Sequence, residues 1–486
     1  MTRRTALGAL AAGFPAIVKG QKKPPNVIFI MTDDQRWDAM SCAGTKILKT
    51  PNMDRLAAGG VRFTEAFATN PLCSPSRGTI LTGLHTHAHG VTTNGGKSHH
   101  LKPGVVTYPQ LLQKAGYYSA MIGKWHIATL PTGLGFDHWC ILPGQGAYHD
   151  PAMITQTGRI QFRGYCDDVI ADQALETLRS RPKDKPFSLI CNFKAPHRAW
   201  EPPERFAKMY EDIAIPEPST FNTGLEDRPA GIRGTDMQIA DMPDFRKRGV
   251  PAALPKSLRK PLNYPTFVKN YYRVLLGVDE NLGRILDFLD RQKLAEDTLI
   301  VYTGDNGFFM GEYGMFDKRL MYEPSIRIPM LLRYPAGVKP GVDSEHMVVN
   351  NDVAHTVLDY CGIKRPAHME HHGESWRPLL ERNGAAWRDS WMYEYFEHPG
   401  AHCAPIARGV RTKTHKLIHY IQQPQAHELF DLSRDPEERK SYYDDPAYKT
   451  QVAELTARLE RWRGATKDDR SQDGTPTLPC TGRMAG

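Results

Sequence analysis

The chain has no run of roughly 20 apolar residues of the kind that spans a bilayer, which excludes an integral membrane helix. Cysteine is scarce, with eight residues at 42, 73, 140, 166, 191, 361, 403 and 480, no CxxC pair and no Cys/His spacing suited to zinc. That density excludes a disulfide-built scaffold and leaves stability to an apolar core. If one cysteine is set aside for chemistry, the rest cannot all pair within the chain. Blocks of like charge are missing too. Lys+Arg 62 against Asp+Glu 54 leave a net charge of +8, spread along the sequence rather than gathered in an arm. This balance suits an anionic substrate, and no zinc-finger, basic-zipper or RNP-like signature points to nucleic acid. Internal repeats and low-complexity segments are absent.

What is present has the make-up of a globular enzyme: with 40% hydrophobic and 24% charged residues, the chain is neither mainly disordered nor fibrous. Thr2-Arg3-Arg4-Thr5, followed by the uncharged stretch Ala6 to Val18 and closed by Lys19, reads as a twin-arginine export signal within residues 1–25. It implies a periplasmic or extracellular protein. Asn26 to Met31 is a continuous apolar run ended by polar residues, as in a central parallel strand covered on both faces. Strands are expected again at Tyr117 to Ile122, Phe187 to Phe193 and Thr298 to Thr303. Helical periodicity lies between them, with Ile170, Ala174 and Leu178 in 166–180, and with Tyr271, Leu275, Val278, Leu282, Ile285 and Leu289 in 267–290. A further short helix, Gln110 to Ala115, ends at Gly116.

Alternating strands and helices predict an α/β fold with a large mixed, mostly parallel sheet flanked by helices over residues 26–385. Two regions break the alternation. Ten prolines between 202 and 265 predict a long surface excursion, which serves either to shape a site or as a linker. Residues 386–486 read as a smaller α+β subdomain. Its antiparallel strands are expected in Ile406 to Tyr420 and Glu428 to Leu432, and its closing helix in Val452 to Trp462.

Asp33 and Asp34 follow the first strand, and Asp305-Asn306-Gly307 follow the strand Leu299 to Thr303. Ligands of open α/β sheets bind beyond the carboxyl ends of strands. Four oxygen-bearing side chains from two such ends can surround a hard divalent cation, Ca2+ or Mg2+, although Asp and Asn are equally common as turn residues there.

The segment Cys73-Ser-Pro-Ser-Arg77, continued by Leu81-Thr-Gly83, resembles the signature of the formylglycine-dependent sulfatases of the alkaline phosphatase superfamily at every fixed position. Gly123-Lys-Trp-His126 resembles the family's next element, and Ala195-Pro-His197 its histidine turn. Lys318 stands at the distance after Thr303-Gly-Asp-Asn-Gly307 where these enzymes carry a second active-site lysine. The resemblance spans residues 26–435, up to the His427-Glu-Leu-Phe-Asp-Leu432 segment typical of bacterial members.

The resemblance implies an alkaline phosphatase-like fold and hydrolysis of sulfate monoesters, with sulfated carbohydrates as the expected substrates. A maturation enzyme, either formylglycine-generating or anaerobic sulfatase-maturing, would oxidise Cys73 to an aldehyde whose hydrate is the nucleophile. Asp33, Asp34, Asp305, Asn306 and residue 73 would hold one Ca2+, with Mg2+ as the alternative. Lys124 and Arg77 would position the hydrate, His197 and Lys318 would assist the departing sugar oxygen, and His126 would take the last hydroxyl proton to expel sulfate. The charge of a sulfate ester and its alkoxide leaving group require such fixed cations and acids.

Arg198, Trp200, His149, Asp150, Arg319, His371 and His372 are candidates for gripping sugar hydroxyls or a second sulfate, against the plainer reading of each as a solvated loop residue. The alternation of His85, His87 and His89 resembles a zinc cluster but lacks a fourth ligand, and is read as a loop on the site's rim. The stretch His85 to Asn94 resembles sulfatases that cleave 6-sulfate from N-acetylglucosamine. Two rivals remain: a phosphonate monoester or phosphodiester hydrolase of the same superfamily, and a sulfated-glycan binding protein without catalysis. Serine at the nucleophile position would form an ester lacking the second hydroxyl needed for elimination. Cys73→Ser is therefore expected to abolish turnover, and undiminished sulfate release by the variant would overturn the mechanism.

Overall fold

The computed structural model describes residues 23–244, 250–251, 253–381 and 385–480. The export signal expected over 1–25 falls, up to residue 22, outside the described residues. The architecture follows from one apolar strand. Asn26–Thr32 is buried along its whole length and pairs in parallel with Phe187–Asn192 on one side and Thr298–Gly304 on the other, with Val27 opposite Ser188 and Leu299. Tyr118–Lys124 and His138–Leu142 extend the parallel block. Beyond it the hairpin Ala152–Thr155 and Gly158–Gln161 is antiparallel. On the opposite flank come Met330–Arg333 and Val61–Phe63, both antiparallel to their inner neighbours, and then Val342–Ser344. The result is a ten-stranded mixed sheet, mostly parallel at its centre.

Side-chain alternation assigns the two faces. Ile28 and Ile30 point into a core built with helices Pro51–Ala58, Cys166–Ser180 and Lys256–Arg291. Val27, Phe29 and Met31 point the other way, toward helices Cys73–Thr82, Tyr108–Lys114 and Asp352–Tyr360. A strand buried on both faces needs no polar alternation, which is why its sequence is a plain apolar run. No helix among the described residues is long and apolar enough to cross a membrane.

Two expectations are corrected here. The long helix begins at Lys256, eleven residues before its clear periodicity, and contains Pro261 and Pro265. Its first two turns are largely exposed, so carbonyls freed by the missing proline N–H groups face water, while the buried face from Phe267 onward anchors the helix. The proline-rich excursion is not simply a surface loop either: Phe221, Ile232, Met237 and Ile239 are buried within it.

A second, four-stranded antiparallel sheet runs Ser390–Tyr395, Ala407–Thr412, His415–Tyr420 and Ala426–Asp431. Helix Lys449–Ala465 covers one face through Leu455 and Leu459, which join Met392, Val410, Leu417 and Leu429 in one apolar cluster. The other face packs through Trp391, Tyr393 and Tyr395 against Phe67, Leu72 and Tyr322 of the larger part. A disulfide, Cys403–Cys480, ties the carboxyl-terminal strap to the loop before the second strand of this sheet. Leu282 lies fully buried at the centre of the long helix's apolar face. Leu282→Ala is expected to cost about 2–5 kcal/mol of unfolding free energy, read from urea denaturation.

Candidate active site

Helix Cys73–Thr82 starts at the cysteine itself, directly beyond the carboxyl ends of the central strands. Cys73 is fully buried, with Sγ 3.5 Å from Asp33 Oδ1. Burial, aided by the Asp33 charge, pushes its thiol well above the ordinary range. The group is protonated at neutral pH, so as a thiol it is a poor nucleophile.

Arg77 lies one turn further along the helix, on the same face. Its guanidinium reaches Asp305 Oδ2 at 2.8 Å and 3.1 Å, and donates to the Lys124 carbonyl at 2.5 Å. Ser76 Oγ donates to the Asp305 carbonyl, fixing the same loop from the neighbouring helix position. Lys124 closes the strand Tyr118–Lys124, and its ammonium contacts Asp33 Oδ2 and Gln145 Oε1. Gly123 before it has φ +98°, and a Cβ there would lie 2.0 Å from the Asn192 carbonyl oxygen. Only glycine permits that approach of two strands.

His126, with φ 54°, presents a buried Nδ1 that has no hydrogen-bond partner, while its carbonyl is held by Ser74 Oγ and by His99 Nε2 at 2.9 Å. His197 bonds the Arg198 carbonyl through Nδ1 at 2.7 Å, which assigns the proton to Nδ1 and leaves Nε2 as the acceptor. Burial, with the Lys124 charge nearby, holds both imidazoles well below the usual histidine range, hence neutral. Lys318 Nζ sits 2.6 and 2.8 Å from the two oxygens of Asp34. Burial opposes its charge, but Asp34 outweighs it and keeps the ammonium protonated.

Asp33, Asp34 and Asp305 are fully buried, and one oxygen of each lies within 4.8 Å of the others. Asp305 Oδ1 accepts from the Asp34 amide at 3.0 Å, and Asn306 Nδ2 donates to Asp34 Oδ1 at 2.8 Å. Burial would raise Asp33, but the charges of Lys124, Arg77 and Lys318 hold it well below the carboxylate range. Burial and Asp33 push Asp305 up to about 7. Asn306 Oδ1 is left buried and without a partner. An orphaned acceptor beside three carboxylates is a donor set that fits a hard divalent cation. Arg77, Lys124 and Lys318 already match the three carboxylates in charge. A bound divalent ion would leave the site with two positive charges in excess, the sign an anionic ester requires.

All ten side chains expected at the site are thus brought to one place. The expected substrate contacts fare differently. Trp200 is a core residue, fully buried against Phe267 and Phe308 at ring distances of 4.8 and 6.1 Å, because its large apolar ring gains more from burial than from the rim. Arg198 is paired with Asp244, and Arg319 with Glu397 at 2.6 Å. His149 and Asp150 line a separate outer groove with Asp168 and Arg205. His371 packs near His355.

The alternating histidines lie in and directly before a short helix, Thr86–His89, with His85 and His89 buried and His87 half-buried, rather than in a rim loop. Glu394 from the smaller sheet accepts from His87 Nδ1 at 2.7 Å and raises that imidazole to about 9, despite burial. His372 packs tilted against His85 and stacks on His87 within the larger part, and the His87–Glu394 pair joins the two parts of the molecule. Tyr148, Asp167 and Lys194, buried around the His197 turn, were not legible as site residues. Each is a common residue type outside any motif, and only Asp167, in the first turn of a helix, carries a local signal.

The sulfatase family profile matches residues 25–363, and the profile described as N-sulphoglucosamine sulphohydrolase, C-terminal, matches residues 311–465. The chain is 36% identical to an N-acetylglucosamine-6-O-sulfatase of Bacteroides thetaiotaomicron, over 93% of this chain and 88% of the relative. It is also similar to a solved structure in complex with its substrate, D-glucosamine-2-N,6-O-disulfate, with a TM-score of 0.86, 36% identity, and coverage of 92% of this chain and 99% of that one. The phosphonate monoester hydrolase of Agrobacterium radiobacter shares the fold at a TM-score of 0.72, with 22% identity over 91% of this chain and 96% of that one. Gly123→Ala is expected to cost about 1–2 kcal/mol or more of stability, from backbone strain and the carbonyl clash, and to displace Lys124. Urea denaturation together with sulfate release checks both effects.

Proposed function

The chain belongs to the sulfatase family, and from that premise we propose that it removes the 6-O-sulfate of an N-substituted glucosamine with a formylglycine made from Cys73. It is a hydrolase of carbohydrate sulfate esters. One observation carries the finer reading. Cys73 is a buried, protonated thiol at the meeting point of Asp33, Arg77, Lys124 and Lys318, a place where an unmodified cysteine has no chemistry to do. The choice of a 6-O-sulfated glucosamine is supported by the relative and the solved complex that share 36% identity with this chain.

Asp33, Asp34, Asp305, Asn306 and residue 73 would hold the cation, Ca2+ or alternatively Mg2+. When bound, the ion and the hydrated aldehyde supply Lewis acidity at a sulfate oxygen and an oxygen nucleophile. The remaining work belongs to the chain's own groups. Arg77 and Lys124 stabilise negative charge at residue 73. Lys318, kept protonated by Asp34, donates to the departing sugar oxygen, and His197 assists the same oxygen through Nε2 once that nitrogen has taken up a proton, since the neutral ring holds its single proton on Nδ1. His126, neutral through burial, accepts the proton whose loss releases sulfate.

Maturation of Cys73 by a formylglycine-generating or anaerobic sulfatase-maturing enzyme, and export to the periplasm or beyond, complete the proposal. Within it, residues 26–385 form the catalytic domain and 386–486 the subdomain packed against it. The test uses protein from its native host: the mass of the tryptic peptide Phe63 to Arg77, and sulfate release from 6-O-sulfated N-acetylglucosamine before and after chelation. The expected result is an aldehyde at residue 73 and release that chelation abolishes and Ca2+ restores. An alkylatable thiol at residue 73 in active protein would overturn the formylglycine. Desulfation of other sulfated sugars only would overturn the assigned substrate.

A further inference from the structure

Around the turn Lys194–His197 the structure gathers buried groups that have no place in the chemistry above. Asp167, the second residue of helix Cys166–Ser180, accepts from the Lys194 amide at 2.8 Å and from the Ala195 amide at 3.3 Å. At the other end Tyr148, 2% exposed, donates its hydroxyl to the His197 carbonyl at 2.5 Å. The two ends are joined through Lys194. Its ammonium lies 4.5 Å from the centre of the Tyr148 ring and donates to the Gln145 carbonyl at 3.1 Å. The turn is also tied to the cation loop, since the Asp33 amide donates to the Ala195 carbonyl at 3.2 Å.

Closing a surface turn does not require this arrangement. Burying a carboxylate is costly unless its hydrogen bonds are well made, and burial pushes Asp167 up to about 7 even with two backbone N–H groups on it. Lys194, held low by burial and by Lys124, carries a similar cost. Such an outlay of polar groups fits a turn whose exact placement matters. The His197 backbone is fixed at its carbonyl by Tyr148 and upstream by Asp167, and the ring is fixed at Nδ1 by Arg198. Only Nε2 is left to meet a substrate.

We propose that Asp167 and Tyr148 are positioning residues that clamp the two ends of the His197 turn and so set His197 Nε2 against the departing sugar oxygen. The proposal rests on the role given to His197 above. Groups that orient a catalytic side chain through a second layer of hydrogen bonds are worth about 10–100-fold in activity, because small misplacements at a reacting centre are expensive.

Tyr148→Phe removes only the hydroxyl, keeping the ring, its contact with Lys194 and its stacking on Tyr165 at 5.7 Å. On whichever sulfated sugar the wild type cleaves, this variant is expected to lose about 10-fold in kcat, with KM within about 2-fold and a melting temperature lowered by no more than about 4 °C for the lost hydrogen bond. Asp167→Asn offers a single acceptor oxygen to two amides and is expected to lose kcat in the same way. The decisive measurement is the pairing with His197→Ala. If the clamp acts through His197, Tyr148→Phe adds less than about 2-fold loss in that background. A further loss of about 10-fold there, or wild-type kcat in folded Tyr148→Phe, would overturn the clamp. Wild-type kcat in His197→Ala itself would remove the role of His197, and the proposal with it.

Discussion

Three carboxylates cannot share a dry pocket unless cations hold them there. In this protein Asp33, Asp34 and Asp305 are fully buried at the carboxyl ends of adjacent parallel strands, and Arg77, Lys124 and Lys318 each reach at least one of them. Much else is arranged around that balance. Helix Cys73–Thr82 is oriented so that its first residue and its fifth meet the cluster together. Gly123, the last residue but one of strand Tyr118–Lys124, has a positive φ that lets two backbones approach and delivers Lys124. The loop after Thr298–Gly304 turns back so that Asp305 binds both the guanidinium and the Asp34 amide.

The same balance explains why the site is poised for an anion. Matched three against three, the fixed charges leave an orphaned Asn306 oxygen and a raised Asp305, both of which a divalent cation would satisfy. Once such an ion is held, the excess charge is positive and lies on groups that need no reorganisation when charge develops on the substrate. The histidines are kept neutral by burial and by the lysines. Proton-accepting and charge-bearing roles therefore fall to different residues within a few ångströms.

The smaller sheet contributes at a distance. Its Glu394 fixes His87 at the far end of the nucleophile helix, and its Tyr395, with Glu397 just beyond, holds Arg319 beside Lys318. Sequence texture marked this region as antiparallel strands with a closing helix, which is what it is. What the texture hid was its attachment. The histidines at 85, 87 and 89 looked like a metal motif or a rim because the partners of His85 and His87, His372 and Glu394, lie about 300 residues away.

Local sequence marked the four central strands and, through motifs that resemble those of the family, the ten side chains that meet beyond their carboxyl ends, because apolar runs and short motifs carry their meaning within a few residues. It could not show that Pro261 and Pro265 lie inside a helix, since only the packing of a long apolar face outweighs the hydrogen bonds they forgo. Nor could it show that Trp200 belongs to the core, or that Asp167 and Tyr148 converge on the His197 turn. Those placements depend on which elements meet across the sheet, and a meeting between residues separated by dozens of positions leaves no trace in the spacing of either one. The chemistry was legible in the chain, while the positioning that surrounds it was decided by tertiary packing.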